Sequence, residues 1–271
     1  MKNKLKYQFY RFLSNLTFGK LKLKMLNKKN KYKNLTIQNG DNYICDYGYN
    51  NQYDKSKIIR NKILLNIHGN NNFIELQFLK IDGLNKNLTI NIYGNNNKLV
   101  IGSNFKVHND FHIDFAYPPH CINNSEVFIG KDFSIVNGEI MLLENSSKCL
   151  IGDSCMFSEQ VVIRLSDTHS VLDLDGNLLN YGGLVEIGDH VWCGREVRIL
   201  KNASIGNDSI IGASSVVTKR FDENNIAIGG NPAKIIKRNI NWSGLSPQQY
   251  LEQQKQQDVN KNTMEELKTY E

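Results

Sequence analysis

Cysteine is scarce in this 271-residue chain and badly spaced for cross-linking. The five residues, Cys45, Cys121, Cys149, Cys155 and Cys193, are odd in number, scattered and free of any C-x-x-C pair, which excludes a disulfide framework and a zinc-finger pattern. A reducing compartment is expected. Long apolar runs are missing as well: nothing approaches the roughly 18 residues of a membrane span, and the N-terminus lacks the continuous apolar core of a signal peptide. The chain reads as cytoplasmic. Acidic residues are absent from the one strongly basic region. Residues 1–33 hold eleven Lys/Arg and no Asp/Glu, so the formal net charge of +6 conceals a body with 22 basic and 27 acidic side chains. Within that segment Tyr7, Phe9, Tyr10 and Phe12 lie among basic residues, a composition that suits a peripheral anchor on anionic lipid and equally a solvated or partner-docking arm. Charge and aromatics alone make no base-reading module, so a nucleic-acid partner is not expected.

What is present is a beat of six. Ile187, Cys193, Ile199, Ile205, Ile211 and Val217 are all apolar, followed by Gly188, Gly194, Leu200, Gly206, Gly212 and Thr218. Four positions after each start come Val191, Val197, Ala203, Ser209, Ser215 and Phe221, mostly small. With 40% of residues apolar, six in a row at a chosen phase arises by chance in about 0.4% of cases. Neither a helix nor a hairpin sheet repeats every six residues. A short strand followed by a sharp corner does: one aliphatic side chain points in, glycine permits the turn and a small residue fills the remaining space. Three such units close a triangular coil of 18 residues, about 4.8 Å above the next.

The beat continues upstream through Ile151, Phe157 and Ile163, and less cleanly through "VFIGKDFSIVNGEI" and "LVIGSNFKVHNDFHI". "NIHGNNNFIEL" and "NIYGNNNKLVI", 25 residues apart, read as corners of wider coils, since Asn tolerates left-handed backbone. The expected organisation is a basic segment over 1–36, irregular β-solenoid coils over 37–126, regular hexapeptide coils over 127–240 and a helical tail over 241–271. Ser246, Pro247 and Gln249 supply that helix with an N-cap, a favoured first residue and a capping box.

"VEIGDHVWCGREVRILKNASIGNDSIIGASSVVTK" and "NNIAIGGNPAKIIK" resemble the left-handed β-helix hexapeptide acyltransferases, and "IGDSCMFS" with "VIRLSDTHSV" is similar to their polysaccharide and sialic acid O-acetyltransferase branch. The resemblance covers about 127–242 well and 60–126 only in style. Left-handedness is implied by the resemblance alone, against the usual right-handed crossover. So are acetyl-CoA as co-substrate, a homotrimer and transfer to a sugar hydroxyl of a bacterial surface glycan. Two other readings stand beside it: an N-acyltransferase for an amino-sugar nucleotide, and a silent solenoid scaffold, which would have no reason to keep the His169 loop together with P-A-K.

The stretch 164–184 lacks the inward column and is expected to leave the prism as a loop. The family's catalytic base falls on His169, and chemistry agrees, because an alcohol attacking a thioester needs its proton taken and imidazole does this near neutral pH. Asp167 either orients that imidazole or caps the loop turn. The family pattern places the donor along a prism edge at Gly194, Arg195, Ala213 and Ser214. Thr218 and Lys219 lie further along, Lys234 and Lys237 near the phosphates, and Trp192 at the active site or capping the core. Glu144, Arg164, Ser166 and Asn180 are acceptor candidates, Arg164 suiting an anionic sugar such as a sialic acid. "GASS", "LKNA" and the absence of proline at 221–223 depart from the pattern. Cys193, in the inward column, reads as a buried hydrophobe and not a nucleophile, which favours direct transfer. No metal is expected: His108, His112, His120 and Cys121 lie on or beside apparent strand, and His190 reads as a structural corner residue.

Overall fold

The computed structural model describes residues 34–37, 43–60, 63–77, 79–81 and 88–268. The basic segment 1–33, with the two readings given above, lies outside them. The described strands form one nine-stranded and two eight-stranded sheets, here the first, second and third, and the chain visits them in rotation. Neighbouring strands within a sheet are parallel, apart from an antiparallel pair at each end: Asn34–Ile37 on Tyr43–Asp46, and Ile226–Gly229 with Lys234–Arg238. The fold is a left-handed parallel β-helix of hexapeptide coils with an ejected loop and a C-terminal helix. The solenoid's sheet begins at Asn34, slightly before the expected boundary at 37.

The six-residue columns are the core. Ile187, Cys193, Ile199, Ile205, Ile211 and Val217 are all buried, as are Val191, Val197, Ala203, Ser209 and Ser215 between them. Registers of Ile187 with Ile205 and Cys193 with Ile211 give the 18-residue coil. Upstream coils are wider: hydrogen bonds between equivalent corners span 22 residues at Lys131–Asp153, 28 at Asn95–Asn123 and 25 at Asn70–Asn95. The two Gly-Asn runs do align, Asn66 beside Asn91. The corner chemistry differs from expectation. Left-handed backbone falls at His190, Glu196, Asn202, Asp208 and Ser214, every sixth residue and none of them glycine. Glycine is needed two residues earlier for a different reason. A Cβ at Gly194 would lie 2.7 Å from the Ala213 nitrogen of the next coil, so its absence lets the coils stack.

The described residues include two helices. Lys55–Arg60 was read as solenoid coil and is instead a short helix, started by Asp54 Oδ1 accepting from Ser56 N and Lys57 N and anchored by buried Ile58. Pro247–Lys268 carries the expected capping box: Ser246 Oγ accepts from Gln249 N, and Ser246 N donates to Gln249 Oε1. Before it, Trp242 folds back, stacks on the His190 ring at 4.1 Å and donates to the His190 carbonyl. With Asp208 on its Nδ1 at 2.9 Å, His190 is a built-in corner residue.

Candidate active site

The loop leaves the first sheet after Val161–Arg164 and rejoins the second at Leu184–Ile187. Its size is fixed by register: Ile163 pairs with Ile199 and Ile151 with Ile187, each 36 residues apart where an uninterrupted coil has 18. One coil's length of chain is extruded at the edge between the first and second sheets. Two arms, bridged at Leu172 and Leu178, run to a tip where Asp173 Oδ1 accepts from the backbone of Asp175 and Asn177. The Asn177 carboxamide, and after it the backbone amides of that turn, hold the Asp173 carboxyl below the usual range.

The neck of the loop is dense with polar contacts from the coils above and below. Glu144, on the preceding coil, accepts from Ser166 Oγ at 2.7 Å and from Gly182 N at 2.6 Å, joining the two arms. Ser166 Oγ accepts from Thr168 N at 2.9 Å. Arg164 donates to Thr168 Oγ1 at 2.7 Å and to the Ser166 carbonyl at 3.3 Å. Asn180, on the returning arm, donates to Asp167 Oδ2 and to the His169 carbonyl, each at 2.8 Å, and accepts from Val171 N. Thr168 sits at φ +69, a conformation a β-branched residue adopts only under constraint. His169 follows it, exposed, its ring making no hydrogen bond to a described residue.

Asp167 does not meet the His169 ring. Its carboxylate lies on Lys201 Nζ at 2.6 Å and on Asn180 Nδ2, and the lysine, then the carboxamide, hold it below the usual carboxylate range. Neither of the two expected roles is what Asp167 does here: it bonds the Lys201 and Asn180 side chains, not a turn amide, and reaches His169 only through Asn180. Glu144, Arg164, Ser166 and Asn180 do converge within this neck. Lys201 was missed by sequence reasoning; the signal lay in the 36-residue register, which sets it one position beyond Leu200, the partner of Arg164.

The expected donor residues do not share one edge within the chain. Gly194, Arg195, Ala213 and Ser214 stack at the edge between the third and first sheets, where Arg195 pairs with Glu159 and Glu196 at 3.4 Å and Ser214 bonds Glu196. Thr218 and Lys219 lie at the edge between the first and second sheets, below the loop, with the Lys219 ammonium 5.3 Å from the Phe221 ring centre. Trp192 stands on the third sheet, 37% exposed, its ring centre 6.0 Å from that of Trp242. Lys234 and Lys237 are exposed on the antiparallel last strand. Cys193 is wholly buried and burial pushes its thiol well up, the condition of an inert cysteine. Among the described residues no group of three His, Cys, Asp or Glu is placed to hold a metal.

No protein-family model matches the chain. It is 34% identical over 120 residues to a polysialic acid O-acetyltransferase of Escherichia coli O1:K1, covering 44% of this chain and 38% of that enzyme. To the polysialic acid O-acetyltransferase of Neisseria meningitidis it is 36% identical over 107 residues, 39% of this chain and 49% of that one. The chain thus spans less than half the length of these two relatives. The crystal structure of the polySia-specific acetyltransferase NeuO superposes with a TM-score of 0.55 at 28% identity, over 74% of this chain and 82% of that one. By its coils and by these likenesses, the chain is a left-handed β-helix hexapeptide-repeat protein related to the polysialic acid O-acetyltransferases.

Proposed function

We propose that this chain moves an acetyl group from acetyl-CoA to a hydroxyl of a bacterial surface-glycan sugar, with His169 as general base. The observation that carries the reading is the loop itself: an extruded coil, pinned at its neck, that presents one unpaired imidazole beside the prism. The activity of the two polysialic acid O-acetyltransferases agrees with it. His169 takes the hydroxyl proton as that oxygen attacks the thioester carbonyl, and the imidazolium returns the proton to the departing thiolate. Transfer is direct. Arg164 bonds only neutral oxygens, the Thr168 hydroxyl and the Ser166 carbonyl, and although the Asp167 carboxylate feels its charge, no carboxylate among the described residues is bonded to it, which suits it to an anionic acceptor such as a sialic acid. Glu144, Ser166 and Asn180 border the same space.

The donor fits the edge at Gly194 and Ala213, where a missing Cβ brings two coils' backbones together. Trp192, Arg195 and Ser214 flank that edge, Lys234 and Lys237 supply point charges for phosphate, and Thr218 and Lys219 reach a donor only as the edge of a second copy. A homotrimer follows from the same reading. The test is to incubate the full chain with isotopically labelled acetyl-CoA and, separately, polysialic acid, free sialic acid and galactosides, reading the acceptors by mass spectrometry. Label on a sugar oxygen is expected. A folded chain that labels none of them overturns the proposal.

A further inference from the structure

We propose that Lys201 is a positioning residue for His169, clamping both arms of the loop through Asp167 and Asn180. The inference rests on the reading of His169 as the base, but its physical core is independent of it. The Lys201 side chain is only 13% exposed. A lysine withdrawn that far from water requires oxygen partners, and this one has one on each arm: Asp167 Oδ2 at 2.6 Å on the outgoing arm and the Asn180 carbonyl at 2.5 Å on the returning arm.

The contacts continue toward the imidazole. From the Asn180 carboxamide, Nδ2 reaches both Asp167 Oδ2 and the His169 carbonyl, while Oδ1 accepts from Val171 N. The backbone is therefore held at His169 and two residues beyond it. On the other side, Thr168 N is held by Ser166 Oγ and through it by Glu144. The peptide carrying His169 is fixed from both directions, and its ring alone is left free to meet substrate.

The two anchors differ in origin. Glu144 belongs to the coil made before the loop, whereas Lys201 arrives with the coil made after it, one residue beyond the strand Arg198–Leu200 that pairs with Val161–Arg164. The loop is seated only when the following coil has stacked. Lys201 acts on the backbone around the base and not on its ring, so its loss should lower turnover without weakening donor contacts at the Gly194–Ala213 edge.

The test uses the full chain with K201M, K201R, D167N and the double variant K201M/D167N. Hydrogen–deuterium exchange is followed without ligand at the amides of Val171, Leu179 and Gly182, against Gly206 and Gly212 in the coils as controls. In K201M the loop amides should exchange at least ~10-fold faster with the coil amides unchanged. On the same variant kcat should fall ~10–100-fold while KM for acetyl-CoA moves less than about 2-fold. K201R, which keeps the charge and more than one donor, should stay within about 3-fold of the parent, and the double variant should be no worse than K201M, because the two residues form one unit. Unchanged loop exchange in K201M, or losses that multiply in the double variant, would overturn the clamp. If K201M loosens the coil amides too, D167N decides by the same criterion, since its side chain is 45% exposed and its replacement spares the core. A parent chain that transfers no acetyl group overturns the functional reading, and loop exchange then still decides the clamp.

Discussion

His169 is available for chemistry because its neighbours are occupied. Asp167 is held by Lys201 and Asn180, Thr168 by Arg164 and Ser166, and Asp173 by the turn at the tip, so the cluster of polar residues that marks this stretch resolves into one free imidazole and a set of supports. His169→Ala removes only that exposed ring. Turnover should fall at least ~10²-fold, as loss of a general base requires, while the melting temperature and acetyl-CoA affinity measured by calorimetry stay near those of the parent. Near-normal turnover would remove His169 from the mechanism. His169, Arg164 and Ser166 were legible in the sequence because they fall within one short motif. Lys201 was not, since its value depends on the register across the extruded coil, and neither was the diversion of Asp167 from the imidazole, which only the position of that lysine reveals.

The loop is an element with a built-in dependence on pH. The carboxyl of Asp167 is depressed, first by Lys201 and then by Asn180. A depressed carboxyl stabilises the seated loop above its ordinary range and releases that contribution only as pH falls through the lowered folded value. Loop exchange, corrected for intrinsic rates, should thus stay flat from pH 7 down to about pH 4 in the parent chain and rise only in stronger acid. In D167N the loop should be loose across the whole range. A parent loop that loosens already between pH 7 and pH 5 would show that the ion pair is not what seats it. At this scale the regular coils were readable from the six-residue column, because burial of Ile187, Cys193 and Ile199 is a direct consequence of period. The left-handed corners at His190, Glu196, Asn202, Asp208 and Ser214 were not: all five are polar, and His, Asn and Asp favour that region, but no one residue type marks the position.

Across the whole molecule, the two sets of expected donor residues stand on different edges of the prism, and under the proposed function the face that unites them comes from another copy. The loop supplies a physical reason for one to bind. Leu174 is wholly exposed at its tip, and Val171, Leu172, Leu178, Leu179 and Tyr181 are each about half exposed or more, a concentration of apolar side chains that a lone subunit leaves in water. A cyclic assembly in which each loop lies over the next copy covers these residues and sets His169 near a neighbour's Gly194–Ala213 edge, making the interface heterologous and the ring closed. Light scattering of the full chain should give about three times the chain mass. Replacing Leu174 and Leu179 together with Asp leaves the coils, the neck contacts and His169 untouched but makes the tip unsuited to burial, so the variant should sediment as a monomer and lose transferase activity together with assembly, in proportion at every protein concentration. A parent chain that is monomeric and fully active, or a double-Asp variant that stays trimeric, would place the whole site within one copy and require a donor path that joins the two edges across a single prism.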